Sequence, residues 1–307
     1  TVDIEYTVEE KPSDQIELSG GFGAGRVVGT LGVSFNNFSM RNMFKKGAWA
    51  PLPTGDGQRL SVRAQSTGLY YQSYNFSFSE PWLGGKKPNS LSFTGYYSRQ
   101  TNGLKRDATG LRAIDIWGLS LGFGKRMKKP DDYFQLYMEL NYQYYVLDNF
   151  SSFIFSNGFA NNLFWRGVLS RSSIDFPLYD YPTSGSQISL SGQVTLPYSK
   201  WFIKDVDFSD APDQVKYKLV EYYKFKFTAS WYTKLAGKDR KHALVLNARM
   251  GWGFLGHYNS AIGTAPFERF YLGGSGLTGF ALDGREIIAL RGYDDGILSP
   301  STGASAI

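Results

Sequence analysis

The sequence predicts an all-β fold, an antiparallel β-barrel that spans a membrane. Apolar and polar side chains alternate with a period of two in one segment after another, as they do when the two faces of a sheet meet different surroundings. The segments have the length of about 9–11 residues that a tilted membrane strand needs. Aromatic residues make up 17% of the 307-residue chain, and they concentrate on the apolar faces.

The segment 216–231 shows the alternation clearly. One face carries apolar residues and the other polar ones: Tyr217, Leu219, Tyr223, Phe225, Phe227, Ala229 and Trp231 against Lys216, Lys218, Lys224, Lys226, Thr228 and Ser230. A soluble β-sandwich, such as a lectin or a hydrolase, shows the same period, and that alternative stays open. The continuity of the apolar faces over many long segments favours the membrane barrel.

About eleven barrel strands are predicted in chain order. They cover residues 15–23, 27–35, 58–66, 70–79, 91–98, 114–123, 133–146, 162–172, 187–196, 217–232 and 242–254. Short and long connections mostly alternate between them, which is typical of a barrel with tight turns at one end and long loops at the other. The connection 36–57 is an exception, because it is long where a short turn is expected.

Two further segments interrupt this pattern. Residues 2–10 alternate as a strand but are acidic, and the break at 11–14 indicates that they end a separate domain, followed by a short linker. In the first barrel strand, Gly20 and Gly21 lie close to Gly23. Glycine weakens strand packing, so these residues indicate either a simple kink or a strand that pairs poorly and opens.

Composition argues against several functions. The chain has no cysteine and two histidines. The absence of cysteine excludes a thiolate nucleophile and a Cys-ligated metal, and the small number of histidines disfavours other metal sites. We therefore predict no enzyme activity, cofactor or metal. Asp205, Asp207, Asp210 and Asp213 recur in one loop and could form a calcium site. Their spacing favours the alternative, a solvated acidic loop. The net charge of +6 is scattered, without the basic motif that nucleic-acid binding requires.

Several short segments resemble one family, the outer-membrane-protein assembly factors of the BamA type. The segment 8–12 running into 16–23 resembles the exit from a periplasmic POTRA domain into the first barrel strand. The other resembling segments are three sets of turn and loop motifs: Glu80, Pro81 and Trp82; Asp175, Phe176 and Pro177 with Pro182, Thr183, Ser184, Gly185 and Ser186; and Phe270–Leu272 with Gly273 and Gly274, followed by Leu290, Arg291, Gly292 and Tyr293.

The resemblance implies a domain plan. Residues 1–13 would end a POTRA-like domain, and residues 14–307 would form the N-terminal part of a sixteen-stranded barrel, up to the long extracellular loop that carries Arg291. That loop would fold into the lumen, with the Arg291 guanidinium held by acidic or polar groups of the wall. The segment 275–289 departs from the family, whose members usually have a short link there. The first strand would form a lateral gate, with Ile16, Leu18, Gly20, Gly21, Phe22 and Gly23 as its residues.

The resemblance also implies the function. The protein would fold and insert β-barrel proteins into the outer membrane of a Gram-negative bacterium. Its partners would be outer-membrane lipids, unfolded outer-membrane clients, periplasmic chaperones and the accessory lipoproteins of an assembly complex. A polypeptide-translocating transporter of the same family is the first alternative, and a porin or receptor barrel is the second.

Overall fold

The computed structural model describes residues 14–23, 26–49, 52–150, 155–174, 181–203, 206–237, 242–275, 286–294 and 296–299. The predicted domain end at 1–13 and the motif residue Asp175 lie outside these residues. In the described part of the chain, no helix is long and apolar enough to cross a membrane.

In the described residues, eleven strands form a large antiparallel sheet and follow each other in chain order. The strands are β1 (Gln15–Gly23), β2 (Arg26–Phe38), β3 (Gln58–Ser66), β4 (Tyr71–Glu80), β5 (Asn89–Thr101), β6 (Ala113–Arg126), β7 (Phe134–Asp148), β8 (Gly158–Ser172), β9 (Gly185–Thr195), β10 (Tyr223–Ala236) and β11 (Leu244–Gly256). The predicted all-β class and the predicted strand number are confirmed. Within the described residues the sheet is not closed, and β1 and β11 are its edges.

The two faces of the sheet differ as the alternation predicts. The inner face is polar, and the part on β3 to β7 lines a concavity of about 830 Å³ with residues such as Asn75, Glu139 and Gln143. The outer face is apolar and open to the surroundings; Leu119 in the middle of β6, for example, is 53% exposed. A large apolar face of this kind marks a surface that is covered by a partner or by a membrane.

Aromatic side chains stack across strands on the outer face. The rings of Tyr97 and Trp117 lie 4.4 Å apart, and the Tyr97 hydroxyl donates a hydrogen bond of 2.7 Å to Asp115. Arg99 binds both oxygens of the same carboxylate, at 3.1 and 2.9 Å. A polar cluster beside aromatic rings near the end of a strand is typical of the membrane–water interface. There the apolar part of each ring contacts lipid, and its polar group contacts water.

The connections vary in length at both ends of the sheet. The end where β1 begins carries the connections 81–88, 127–133, 173–184 and 237–243, together with the longer segment 39–57. The opposite end carries the short connections 24–25 and 67–70, the larger segments 102–112, 149–157 and 196–222, and the chain that follows β11. The unexpected length of the β2–β3 connection is therefore a feature of the structure as well as of the sequence.

Loops at the opposite end build a small apolar core against the inner face. It contains buried residues from β6 to β8 and from the loops, among them Ile114, Tyr145, Ala160, Phe155, Phe208, Tyr217, Val220, Tyr222, Ile262 and Phe267. Two single-turn helices, α1 (Tyr198–Trp201) and α2 (Asp213–Lys216), lie in the same region. This end of the inner face is thus filled by protein.

The predicted start of the tenth strand at residue 217 is wrong, because β10 begins at Tyr223. Tyr217 follows helix α2 as its C-cap, is buried in the loop core and donates a hydrogen bond of 3.3 Å to the Ile262 carbonyl. The Val220 amide bonds to the Asn161 carbonyl at 2.9 Å. The alternation before residue 223 therefore lies in a loop and does not match the burial there, because Val220, Glu221 and Tyr222 are all buried.

Candidate functional site

The chain after β11 returns along the inner face of the sheet and forms the candidate site with β8, β9 and β10. Two short strands, β12 (Phe270–Leu272) and β13 (Glu286–Ile288), pair in parallel in this segment. We call residues 257–275, 286–294 and 296–299 the inner loop. Beneath it, a recess of about 360 Å³ is lined by Arg166, Ser189, Ser191, Gln193, Lys224, Lys226, Thr228, Glu268 and Glu286, among others.

Two lysines of β10 hold two glutamates of the inner loop. The Lys224 ammonium lies 3.1 Å from Glu268 Oε2 and 3.7 Å from Glu286 Oε2, and Lys226 pairs with the other oxygen of Glu286. The side chains of Lys224 and Glu268 are 7% and 11% exposed. An ion pair this well buried fixes position, because the loss of one partner leaves an uncompensated charge away from water.

Burial also raises the pKa of the Glu268 carboxyl in the inner loop. Desolvation raises the pKa of Glu268, while the neighbouring charges of Lys224 and Arg166 oppose that rise. Glu268 has a φ of 63°, a left-handed conformation that costs a non-glycine residue free energy and persists where surrounding contacts impose it. The contacts with the wall therefore hold this part of the loop in one arrangement.

A glycine on the wall admits an aromatic ring of the loop. A Cβ added to Gly253 of β11 would lie 2.7 Å from the Phe270 ring, so the ring can approach the strand only where no side chain stands. The Lys224 ammonium also lies 4.7 Å from the centre of the same ring, a cation–π distance. Phe270 thus packs between β11 and the buried lysine of β10.

The structure brings the two predicted loop motifs together. The Leu290 amide donates to the Gly274 carbonyl, and the Gly274 amide donates to the Tyr293 carbonyl, both at 3.0 Å. Gly273 has a φ of +123°, and a Cβ there would lie 2.4 Å from the Asp294 carbonyl oxygen. The part of the unusual segment 275–289 that the structure describes supplies β13 and Glu286.

Arg291 is the motif residue for which a polar or acidic partner on the barrel wall is predicted. It is exposed, as are Leu290, Gly292 and Tyr293, and within the described part of the chain it forms no ion pair. The loop is tied with the opposite polarity, by acidic loop residues on basic wall residues. The role of Arg291 stays a prediction.

The predicted gate strand lies at an edge of the sheet. β1 pairs with β2 residue by residue, from Gln15 opposite Ser34 to Gly23 opposite Arg26, without a bulge. Three gate residues stand exposed on the apolar face, namely Ile16, Leu18 and Phe22. Gly20 lies opposite Gly29, and Gly21 follows it; a Cβ at any of these three glycines would meet nothing within 4 Å.

An ion pair that sequence reasoning missed ties β1 to the inner face. Glu17 Oε1 lies 2.9 Å from Arg63 Nη2 on β3, and both side chains are about half exposed, at 51% and 52%. The pair reaches across β2 above Gly32, where an added Cβ would stand 3.3 Å from the Glu17 carboxylate. The pair therefore depends on a glycine in the strand between its partners.

The remaining motif residues form turns at the end where β1 begins. The Glu80 carboxylate accepts the Trp82 amide at 2.8 Å and the Gln58 side-chain amide at 2.7 Å, while Pro81 and Trp82 are exposed. Pro182, Thr183 and Ser184 lead into β9 at Gly185, whose φ is +101° and whose added Cβ would lie 2.3 Å from the Ser173 carbonyl oxygen. These motif residues shape turns and lie away from the inner loop.

A metal site is not found in the described residues, where no group of three or more His, Asp or Glu side chains is placed to hold an ion. Asp205, one of the four predicted candidates for calcium, lies outside those residues. Asp207 accepts the Ser209 amide at 2.9 Å, which lowers the pKa of its exposed carboxyl. That contact is the geometry of a local turn.

A family model decides the relationship of this chain to known proteins. The model for the Omp85 superfamily domain matches residues 54–307. The chain belongs to the Omp85 superfamily. The superfamily is one of non-enzymatic barrels for protein insertion and transport, and membership of it indicates a β-barrel in the outer membrane of a Gram-negative bacterium.

A solved structure supports the same fold. The chain is similar to BamA from Haemophilus ducreyi lacking POTRA domains 1–3, with a TM-score of 0.58 and 18% sequence identity over 95% of this chain and 48% of that one. The chain thus spans about half the length of that protein. The predicted resemblance to BamA-type barrels and the predicted outer-membrane location are confirmed.

Proposed function

We propose that this chain is the barrel part of an assembly factor that folds and inserts outer-membrane β-barrel proteins through an opening beside β1. The single observation that carries the proposal is the pair of Gly20 and Gly29, where β1 has backbone pairing with β2 but no side-chain packing. A strand held so weakly can separate from a neighbour and offer its row of backbone N–H and C=O groups, and an incoming strand adds to such a row whatever its side chains are. This tolerance suits a machine with many clients.

The packing of β1 supports its use as a movable template. Gly20 and its partner Gly29 leave a strip of the outer face without side chains. Strand stability depends largely on cross-strand side-chain pairs. Near Gly20 and Gly29, β1 is therefore held less firmly than its continuous backbone pairing with β2 would indicate. The energy for insertion comes from the burial of client apolar surface in lipid.

The proposed domain plan and partners follow from this role. Residues 1–13 would connect β1 to a POTRA-like periplasmic domain, and residues 14–307 would form the first part of the barrel. Periplasmic chaperones and accessory lipoproteins would deliver unfolded clients to the end of the sheet where β1 begins. Deletion of the segment before β1 from the full-length protein should abolish delivery while leaving the folded barrel intact.

A reversible lock of the gate strand tests the proposal. This chain has no cysteine, so an engineered pair can be placed without competing thiols of its own. Ser19→Cys on β1 is combined with a cysteine on the terminal strand of the full-length protein, and client insertion into vesicles is measured before and after reduction. We expect insertion to stop when the disulfide forms and to resume on reduction.

The matched control is the pair Gln65→Cys and Ser73→Cys, which face each other within β3 and β4 and should leave insertion unchanged. Insertion at the normal rate with the β1 disulfide fully formed would exclude the lateral opening.

The second candidate function, polypeptide transport, is favoured by one observation. The inner loop lies over the inner face of β8 to β10, held by Lys224 and Lys226, as a plug would. Conductance of the full-length protein in a planar bilayer distinguishes the two functions. A transporter should show a large steady pore once Lys224→Glu releases the loop, whereas an assembly factor should lose client insertion without forming such a pore.

A further inference from the structure

The connection between β2 and β3 forms a compact structure at the end of the sheet where β1 begins. We call residues 39–57 the basal loop, of which 39–49 and 52–57 are described. The Ser39 amide donates to the Pro53 carbonyl at 2.9 Å, the Ser39 hydroxyl binds Asp56, and the Asn42 side chain donates to the Thr54 carbonyl at 3.0 Å. Bonds across the loop thus hold its two arms together.

The basal loop is attached on the apolar side of the sheet. The Met40 amide donates to Gln58 Oε1 at 2.7 Å, and Gln58 Nε2 donates to Glu80 at the same distance. The Phe38 ring packs edge-on against Phe78, 6.4 Å away. Phe78 pairs with Leu60 on the outer face, and Gln58 and Glu80 lie two residues further along the same face. The loop therefore stands at the rim of the membrane-facing surface.

The outer side of the basal loop combines aromatic and basic residues. Phe44 is 86% exposed and Trp49 54%, and the Trp49 indole is oriented by a hydrogen bond of 3.0 Å to the Met43 carbonyl. Arg41, Lys45 and Lys46 are exposed beside them. No described residue forms an ion pair with these three cations.

The neighbouring turn extends the same charge. Lys86 and Lys87, between β4 and β5, are also exposed. Basic side chains next to exposed aromatic rings, at the edge of an apolar surface, are the groups that bind an interface of anionic lipid: the rings enter the headgroup layer, and the cations meet the phosphates.

We propose that the basal loop is an interfacial anchor that binds the anionic phospholipid headgroups of the leaflet at this end of the barrel. Phe44 and Trp49 insert between headgroups, and Arg41, Lys45 and Lys46 contact phosphate. The contact surface continues the apolar outer face, which favours lipid over a protein partner. This binding does not depend on the insertion activity proposed above.

A nitroxide label at Ala48→Cys in the full-length protein tests the anchor. The protein is reconstituted in phosphatidylcholine vesicles with and without phosphatidylglycerol, and the accessibility of the label to a water-soluble relaxation agent is measured. We expect accessibility to fall several-fold with the anionic lipid, and high salt to reverse part of the effect because it screens the phosphates.

Variants separate the contributions. Lys45→Gln with Lys46→Gln should abolish the dependence on anionic lipid, and Phe44→Ser, at an exposed site outside the loop's bonding network, should raise accessibility in every vesicle. The matched control, Lys105→Gln with Arg106→Gln, lies in the loop at the opposite end and should change neither. Equal accessibility in both kinds of vesicle would overturn the proposal. So would protection that arises only when periplasmic proteins are added, since that result identifies a protein-docking surface.

Discussion

Lys224 on β10 contacts two glutamates of the inner loop, Glu268 and Glu286, and is the residue on which the arrangement of that loop most depends. Its ammonium is removed from water together with Glu268, so each charge relies on the other. At the scale of single residues the wall supplies cations and the loop supplies carboxylates. The residue highlighted by the sequence motif, Arg291, lies exposed five residues after Glu286.

Lys224→Ala should release the inner loop, because it leaves the buried Glu268 carboxylate without its ion-pair partner. The loss of one partner of a buried pair costs about 3–5 kcal/mol. Hydrogen exchange of the β12 and β13 amides should become much faster, with β7 and β8 unaffected.

The control Lys200→Ala, at an exposed position on α1, should not change exchange in the loop. The double exchange Lys224→Glu with Glu268→Lys should restore part of the protection. Unchanged exchange in Lys224→Ala would contradict the role of the pair.

The raised pKa of Glu268 predicts a pH dependence of loop seating. The seated loop binds a proton at higher pH than a released loop, whose carboxyl has the usual value of about 4.3. At a pH between the usual pKa and the raised pKa, the Glu268 carboxyl is more protonated in the seated loop than in the released loop. Its contribution to seating is therefore fully present below the usual pKa, and it is lost as the pH rises through the raised pKa. Lys224, Arg166 and Glu286 face the same group.

Protection factors of the Phe270–Leu272 amides, corrected for intrinsic exchange, should therefore increase on mild acidification. Glu268→Gln should remove the slope that this carboxyl contributes. A native slope of opposite sign that disappears in the same variant would refute the assignment.

At the scale of elements, β1 combines complete backbone pairing on one side with weak side-chain anchoring. Its register with β2 is continuous, but its glycine pair adds no packing and its ion pair to Arg63 is half exposed. Such exposed pairs contribute about 0–1 kcal/mol. The position of β1 thus depends mainly on its backbone pairing with β2, and changing one charge on β1 should alter how firmly it is held.

Glu17→Lys should loosen β1, because it places two cations together above Gly32. We expect faster amide exchange in Gln15–Gly23 and no change in β5 and β6. The double variant Glu17→Lys with Arg63→Glu should return the exchange rate to that of the native strand. If the single variant exchanges at the native rate, the ion pair does not restrain the strand.

At the scale of the whole molecule, the described sheet has a polar inner face and an apolar outer face along its eleven strands. Adjacent residues in the middle of β6 illustrate this: Leu119 is exposed on the outer face, whereas Ser120 lines the inner concavity. Membership of the Omp85 superfamily places the outer face in the lipid of the outer membrane.

A charge at these two adjacent positions should have unequal effects. Leu119→Arg should destabilise the membrane-folded protein by about 2–4 kcal/mol, the cost of an arginine on the lipid face near the bilayer centre. Ser120→Arg should cost much less, because its side chain meets the polar concavity. Urea titrations of the full-length protein in lipid vesicles measure both, and equal destabilisation would contradict the assignment of the faces.

Local pattern was sufficient for much of this architecture. Strand position depends on alternation along a few neighbouring residues, so β1 and β3 were predicted at their observed bounds and the other strands mostly within a few residues. The tenth strand failed at its start, because Tyr217 alternates in step with the strand but is buried by the loop core. Turn positions such as Gly185 were also visible, since their backbone demands are local.

The sequence by itself determined the barrel class, the two faces and the family, because each is written in short-range periodicity or in short motifs. Only the tertiary structure decided how the inner loop is held. Lys224 and Glu268 are 44 residues apart, and on the sequence each is an ordinary charge that a wet lumen or a solvated loop would explain. The pairing of Glu17 with Arg63, 46 residues away, is of the same kind. Long-range ion pairs depend on which strands become neighbours and on which glycines leave room between them, and no local pattern carries that information.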